Sequence, residues 1–393
     1  MRKQIINSPK GFQVAALHCG LKSENQNDLA VIYSESPCQV AAAFTSNKVK
    51  AAPVLYDQQI VRAGKAVRAV VVNAGNANAC TGSEGMQHTR KMAEATSHLF
   101  AGSADEVLVL STGVIGVPLP MELILAGIKA MGELTPQTWL DAAQAIMTTD
   151  THPKIASIQS HSGYTITGIA KGSGMISPKM ATMLSVICTD AALTSEMLSK
   201  VQEIWNQTFN RIVVDGDMST NDTVILLANG VSEVEVGPDG DFYQTFSQIC
   251  TELARAIVKD GEGATKLVTV SVKGANSQID AEKIARAIAT SPLCKTAFYG
   301  ADPNWGRIIC AAGYADADFS PEKASLKLKK DDQKIILFES GQAELYNEAE
   351  AIAVMQSEEW EISLDLRQGR SSYWIWTCDL SHEYITINGH YRT

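Results

Sequence analysis

The chain contains no CxxC pair, no HxH or HxxxH pairing, no GxxxxGK(S/T) run and no uninterrupted apolar stretch of about 18 residues. Each absence excludes a class of protein. The eight cysteines, at 19, 38, 80, 188, 250, 294, 310 and 378, are scattered at a density far below that of a disulfide scaffold. The seven histidines lack metal-ligand spacing, so no dedicated metal site is expected. Without a P-loop, nucleotide-phosphate chemistry of that kind has no motif to rest on. The opening "MRKQIINSPKGFQVAA" has charge but no continuous apolar core, so no signal peptide is read, and a reducing cytoplasm is the expected location. Basic residues are also in deficit. A net charge of -10 argues against nucleic acid and anionic membrane surfaces as partners, both of which select basic patches.

What is present is the balance of a protein with a large core, 45% hydrophobic and 19% charged residues. A chain of 393 residues exceeds one average domain. Val/Ile/Leu-rich runs with few charges predict buried strands over 67–75, 106–116, 164–172, 182–190, 223–230 and 266–275. Amphipathic helices are predicted between them, over 84–100, 135–147, 194–210 and 242–260. Phe242, Phe246, Ile249, Leu253 and Ile257 form the apolar stripe of the last. Thr135 reads as an N-cap with Pro136 at the first helical position. Past residue 320, segments such as "KASLKLKKDDQKIILFES" and "WEISLDLRQGRSSYWIWTCDL…YITING" read as strands, with one helix near 343–355. The expected fold is a layered α/β domain over 1–275 followed by a smaller C-terminal α+β portion over 276–393.

Several polar segments have both structural and functional readings. "NAGNANACTG" (73–82) follows a strand and suits a tight turn, but it lacks GxGxxG. "KGSGM" lacks the outer spacing of a nucleophile elbow. "VVDGDMSTNDT" (213–223) lacks the spacing of a calcium loop; polar caps and Asx turns explain it, with a substrate-proximal loop as the alternative. "YGADPNWGRI" (299–308) puts a Trp, an Arg and an Asp in a Gly/Pro-rich loop, which suits an interface or lid.

"KGSGMISPKMATMLSV" (171–186) changes abruptly from Gly/Ser/Pro-rich to apolar and strand-like at Ala181-Thr182. An internal threonine is a poor nucleophile and usually just packs. If the bond before Thr182 breaks, its new α-amine lies beside its own hydroxyl. That amine, with an unperturbed pKa of about 7.7–8.0, can serve as the general base. Strain in the Gly/Ser/Pro half against a rigid strand would favour attack of the hydroxyl on the preceding carbonyl.

This stretch resembles the processing site of the ornithine acetyltransferase family, the bifunctional proteins of arginine biosynthesis. Eight further blocks resemble that family in family order and span essentially the whole chain. They are "FTSNKVKAAPV" (44–54), "VVNAGNANACTG" (71–82), "STGVIGVPLP" (111–120), "AIMTTDTHPK" (145–154), "VDGDMSTNDT" (214–223), "DGEGATK" (260–266), "YGADPNWGRI" (299–308) and "YITINGHYRT" (384–393).

The resemblance implies self-cleavage between Ala181 and Thr182 into fragments 1–181 and 182–393, with N-terminal-nucleophile-like logic in the fold. Thr182 would then carry acetyl from N-acetylornithine to glutamate by a ping-pong route. Thr112 and Gly113 match the family's oxyanion-hole pair. Substrate contacts carry over to Thr148, Lys171, Thr182, Glu262, Asn388 and Thr393; the last two require a C-terminal strand that folds back over the site. The resemblance implies no bound cofactor, acetyl-CoA as a candidate co-substrate, and fragments that assemble as an α2β2 heterotetramer. Two other readings use the same residues: a self-processed threonine amidase or aminopeptidase, and an uncleaved scaffold without activity. Without the resemblance, Lys171 and Glu262 would read as solvated surface charges and Thr112-Gly113 as a strand-end turn.

Overall fold

A computed structural model describes residues 6–22, 25–177 and 183–390. Two compact units emerge. Among the described residues, one holds those up to Asn210 together with Asp217–Ile257; the other holds Arg211–Gly216 and 258–390. The division falls at 257/258 rather than at 275, because the strand over Leu267–Ala275 pairs into the second unit's sheet.

In chain order the first unit begins with β1 (Phe12–Leu17), β2 (Leu29–Phe44), α1 (Ala52–Arg62), β3 (Val67–Asn76) and α2 (Gly82–Ser97). β4 (Val107–Val114), α3 (Met121–Met131), α4 (Trp139–Ala145), β5 (Lys154–Gln159) and β6 (Thr165–Lys171) follow. Next come β7 (Leu184–Thr189), the short β8 (Ala192–Leu193) and α5 (Ser195–Gln207). β9 (Ile212–Val213) belongs to the second unit, after which β10 (Thr223–Ala228), β11 (Glu235–Val236) and most of α6 (Asp241–Lys259) complete the first.

β2 organises this unit because it takes part in three ladders. Its first half, Leu29–Ser34, lies between β1 and β3, both antiparallel to it. Its second half, Gln39–Phe44, pairs antiparallel with β10. The change of partner spans Pro37, which has no N–H to give a ladder and is tolerated at such an irregularity. β4 joins β3 in parallel, while β7, β6 and β5 continue outward from β10. The prolyl, seryl middle of β2 is why its apolar ends did not read as one strand.

Layering follows from strand alternation, which sends successive side chains to opposite faces. Ile169 of β6 shares a buried cluster with Ala142 and Ala143 of α4, whereas Leu253 of α6 packs over the neighbouring Gly168. β6 and β7 are accordingly buried along their whole lengths, as strands covered on both faces must be. The predicted α6 stripe is present: Phe246 stacks on Phe242 and faces Trp205 of α5.

The second unit contains β12 (Leu267–Ala275), α7 (Gln278–Thr290), α8 (Pro292–Tyr299), α9 (Trp305–Gly313), β13 (Ser325–Lys330) and β14 (Gln333–Glu339). β15 (Gln342–Ala343), α10 (Glu348–Met355), β16 (Glu359–Asp365), β17 (Ser371–Cys378) and α11 (His382–His390) complete it. Its sheet runs β15-β14-β13-β16-β12-β17-β9, and one core joins it to α7 through α10. Arg211, entering β9, lies over the rings of Tyr373 and Trp374 at 3.5 and 4.1 Å from their centroids. Trp305 of "YGADPNWGRI" opens α9 and stacks on Phe338. None of the described helices is long and apolar enough to cross a membrane.

Three local expectations are corrected. The C-terminal "YITING" segment forms α11 rather than a strand: Ser381 accepts the Glu383 N–H at its start, and this cap outweighs the weak strand preference of alternating Ile and Thr. The helix near 343–355 begins only at Glu348, where Asn347 caps it. The helix predicted from Thr135 starts at Trp139, because Thr138 forms a reciprocal capping box with Asp141 and Pro136 stays outside. Thr138→Ala is therefore expected to lower stability by about 1 kcal/mol in urea denaturation. Thr135→Ala should stay within about 0.5 kcal/mol of the parent; equal losses at both positions would refute this assignment.

Candidate active site

The ends of β3 and β4 form the first part of the site. Their parallel register sets Gly75 beside Gly113, whose φ is +129°. A Cβ on Gly113 would lie 2.2 Å from the Gly75 carbonyl carbon and 2.5 Å from the Asn76 nitrogen, so only glycine permits this approach. The Ser111 hydroxyl donates to Asn73 Oδ1 at 2.6 Å, and Asn73 Nδ2 donates to the Asn76 carbonyl at 2.8 Å. Asn78, at positive φ, donates to Gly85 O and Thr89 Oγ1 and so ties the post-strand loop to α2. The asparagines of "NAGNANACTG" thus hold the turn that carries Thr112 and Gly113. From the other side, Asn221 of "DMSTNDT" donates to Ala77 O and Ser111 O.

The second part gathers around Asp150. Its carboxylate accepts from Lys154 Nζ at 2.6 Å, from the Gly172 N–H at 2.6 Å and from the Thr148 N–H at 3.0 Å. Lys171 Nζ lies 4.0 Å from the same group and donates to Thr112 Oγ1 at 3.3 Å. Burial alone would push the Asp150 carboxyl up, but the Lys171 and Lys154 charges and the donated hydrogen bonds outweigh it and hold it at about 2. Lys171 is 8% exposed, so the solvated-charge reading fails. Thr149 and Ser173 share a hydroxyl–hydroxyl bond of 2.7 Å, which joins the Thr148 turn to the segment leaving β6.

Behind this cluster lies the loop closed by Asp28, whose buried carboxylate accepts four successive N–H groups, Cys19 through Lys22. Lys22 Nζ donates to Ala145 O and Asn27 O. Burial pulls its ammonium down to about 8, with Asp28 and Asp150 opposing.

A separate cluster forms within the second unit. Glu262, also 8% exposed, accepts from Asn388 Nδ2 at 2.6 Å, so two residues named separately by the sequence come together. Asn388 projects from α11 and also donates to the Tyr384 carbonyl. Ser381 Oγ donates to Gly263 O at 2.6 Å. Asp379 accepts from Thr265 N, Thr265 Oγ1 and Lys266 N, while Lys266 Nζ donates to the Phe298 and Tyr299 carbonyls. The "DGEGATK" turn is thereby fastened to β17, α8 and α11.

Ala181, Thr182 and Thr393 lie outside the described residues. The chain that follows Thr182 is fixed: Met183 O accepts from Thr223 N at 2.9 Å, and Leu184 stands opposite Lys171 in the β6–β7 ladder. Asp150, Lys154 and Lys22 were missed as site residues, and Asn221 was singled out only as part of the 213–223 loop, with no role of its own. Asp150 and Lys154 lie in a block that the sequence did single out, but a carboxylate followed by a lysine four positions later reads as an ordinary surface pair. Lys22 carries no sequence signal at all.

Two outcomes follow from this geometry. Gly113→Ala is expected to separate the β3 and β4 ends and abolish activity, whereas Gly313→Ala at the end of α9, whose Cβ would meet open space without a positive φ, should cost little by comparison. Asp150 titrates below its ordinary 3.8, so the stability it supplies is present above that value and lost as pH falls toward 2. Relative to Asp150→Asn, the parent should lose about 2 kcal/mol between pH 5 and 2.5. Parallel pH profiles for the two proteins would contradict the ion cluster.

The ArgJ family model matches residues 13–393. An arginine biosynthesis bifunctional protein ArgJ of Geobacter sulfurreducens is 47% identical, over 98% of this chain and 99% of its own. Its counterpart in Caldanaerobacter subterraneus subsp. tengcongensis is 45% identical, over 99% of this chain and 98% of its own. Among solved structures, the ornithine acetyltransferase of Mycobacterium tuberculosis complexed with ornithine is 40% identical, over 46% of this chain and 97% of that one, with a TM-score of 0.43. With a family match along almost its whole length and relatives of this identity, the chain belongs to the ArgJ family.

Proposed function

We propose that this chain is a self-cleaving acetyltransferase of arginine biosynthesis that moves acetyl from N-acetylornithine to glutamate. The observation that carries the reading is the meeting of Thr112, Thr148 and Lys171 around the buried Asp150. Family motifs name the first three from distant parts of the sequence, and a purely structural role for each gives no reason for them to meet.

In this reading the Thr182 hydroxyl attacks the Ala181 carbonyl, the peptide C–N bond breaks, and the resulting ester is hydrolysed. The free α-amine of Thr182 then takes the hydroxyl proton as the oxygen attacks the acetyl carbonyl of N-acetylornithine. Thr112 and Gly113 serve the developing oxyanion. The proton passes to the departing ornithine amine, leaving acetyl-threonine. The amine of glutamate attacks this ester, releases acetylglutamate and regenerates Thr182. Lys171 takes a substrate carboxylate as a point charge, and Glu262, held by Asn388, takes the ornithine ammonium. Thr148 and Thr393 complete the contacts named by the family pattern. No cofactor is required; acetyl-CoA is a candidate second donor. The fragments 1–181 and 182–393 stay associated, pair as an α2β2 assembly, and work in the cytoplasm.

Purified protein should run as two fragments, the second beginning at Thr182. Thr182→Ala should give a single chain of 42.2 kDa and no transfer. N-acetylornithine with glutamate should yield acetylglutamate, and N-acetylornithine alone should yield only about one ornithine per site. Steady release of acetate without glutamate would replace this reading with an amidase. An uncleaved parent indistinguishable from Thr182→Ala would leave a scaffold. Acetylglutamate from acetyl-CoA plus glutamate tests the second donor.

A further inference from the structure

We propose that Asn221 is a positioning residue for acetyl transfer, acting through the Ser111–Thr112 peptide. The inference rests on the acetyltransferase reading and extends it to a residue outside the carried-over set. Asn221 is 5% exposed, and its Nδ2 spends both protons on backbone carbonyls, Ala77 O at 2.6 Å and Ser111 O at 2.8 Å. Its Oδ1 accepts from Thr220 Oγ1 at 2.5 Å. All three bonds fix the amide in one orientation.

The Ser111 carbonyl and the Thr112 N–H belong to one planar peptide unit. A donor held on the carbonyl sets the plane and adds to the polarisation of the N–H at its other end. The same unit is held from β3 by the Ser111 hydroxyl on Asn73. Ala77, the other acceptor, follows Asn76, whose nitrogen crowds Gly113. One side chain therefore ties the β3 end to the β4 end at the place where Gly113 requires their closest approach. The loop bearing Asn221 is itself anchored, through Ala51 N to Thr220 O at 3.0 Å and Thr45 Oγ1 to Ser219 O at 2.9 Å. Preorganisation of this kind acts on developing charge rather than on substrate affinity.

Both half-reactions pass through an oxyanion at the same turn, so both should slow together. In the cleaved enzyme, Asn221→Ala is expected to lower kcat about 10- to 100-fold, less than or equal to the loss of a direct oxyanion donor, with KM for N-acetylornithine and glutamate within about 2-fold. A double-mutant cycle with Thr112→Ala should be strongly non-additive. If Asn221→Ala does not fold, Thr220→Val removes the bond that fixes the amide and should lower kcat several-fold at unchanged KM. A folded Asn221→Ala with parental kcat, a rise confined to KM, additive effects with Thr112→Ala, or a parental Thr220→Val would each overturn the proposal. Failure of the underlying reading looks different: the parent enzyme itself would then form no acetylglutamate.

Discussion

A carboxylate and two ammonium groups taken out of water are costly unless each finds its counterpart, and the arrangement around Asp150 is the solution on which the candidate site depends. Asp150 is shared between Lys154 and Lys171, and its remaining acceptor capacity is filled by the amides of Thr148 and Gly172. The carboxylate must stay ionised for this to work, and the two lysines keep it so. The consequence is geometric as much as electrostatic. Two turns far apart in sequence are drawn to one point, and Lys171 is left within reach of Thr112.

Buried aspartates recur as fasteners of loops throughout the chain. Asp28 closes the 19–22 turn, Asp379 holds Thr265 and Lys266, and Asp190 accepts from Lys10 N and Thr165 N. Asp57 accepts the Val109 N–H on the outer strand of its ladder, and burial pushes its own carboxyl well up. Carboxylates that accept backbone N–H groups are strong, directional partners for segments without a ladder of their own. The polar blocks between strands are long for simple turns, and this is how they are kept rigid. Part of the acidic balance of the sequence is therefore internal architecture rather than a surface property.

The buried strands were legible because Val/Ile/Leu runs without charge have few other uses; β3, β4, β6, β7 and β10 of the first unit and β12 of the second all lie where periodicity put them. β2 was not, since Pro37 and its serines look like a loop until two different neighbours are known. α11 was misread because Ile385, Thr386 and Ile387 favour strands locally while Ser381 and the Glu262–Asn388 contact act through tertiary placement. The candidate site was legible only through the family resemblance, which puts Thr112, Thr148 and Lys171 in one site. Asp150, which accepts the Thr148 N–H and lies beside Lys171, was not legible, because it resembles any acidic turn residue.

The position of the proposed nucleophile acquires a reason from the strand that follows it. β7 is an interior strand, parallel to β10 on one edge and antiparallel to β6 on the other. Met183, the second residue after the proposed cleavage point, is already bound to Thr223. On the other side, the departing chain is pinned at Gly172 by Asp150 and at Ser173 by Thr149. A new N-terminus made at a chain end would fray, since terminal residues lack neighbours to hold them. One made at the entrance of an interior strand inherits both ladders of that strand. A nucleophile acting as its own base requires such a fixed start, and β7 is held on both edges from Leu184 onward.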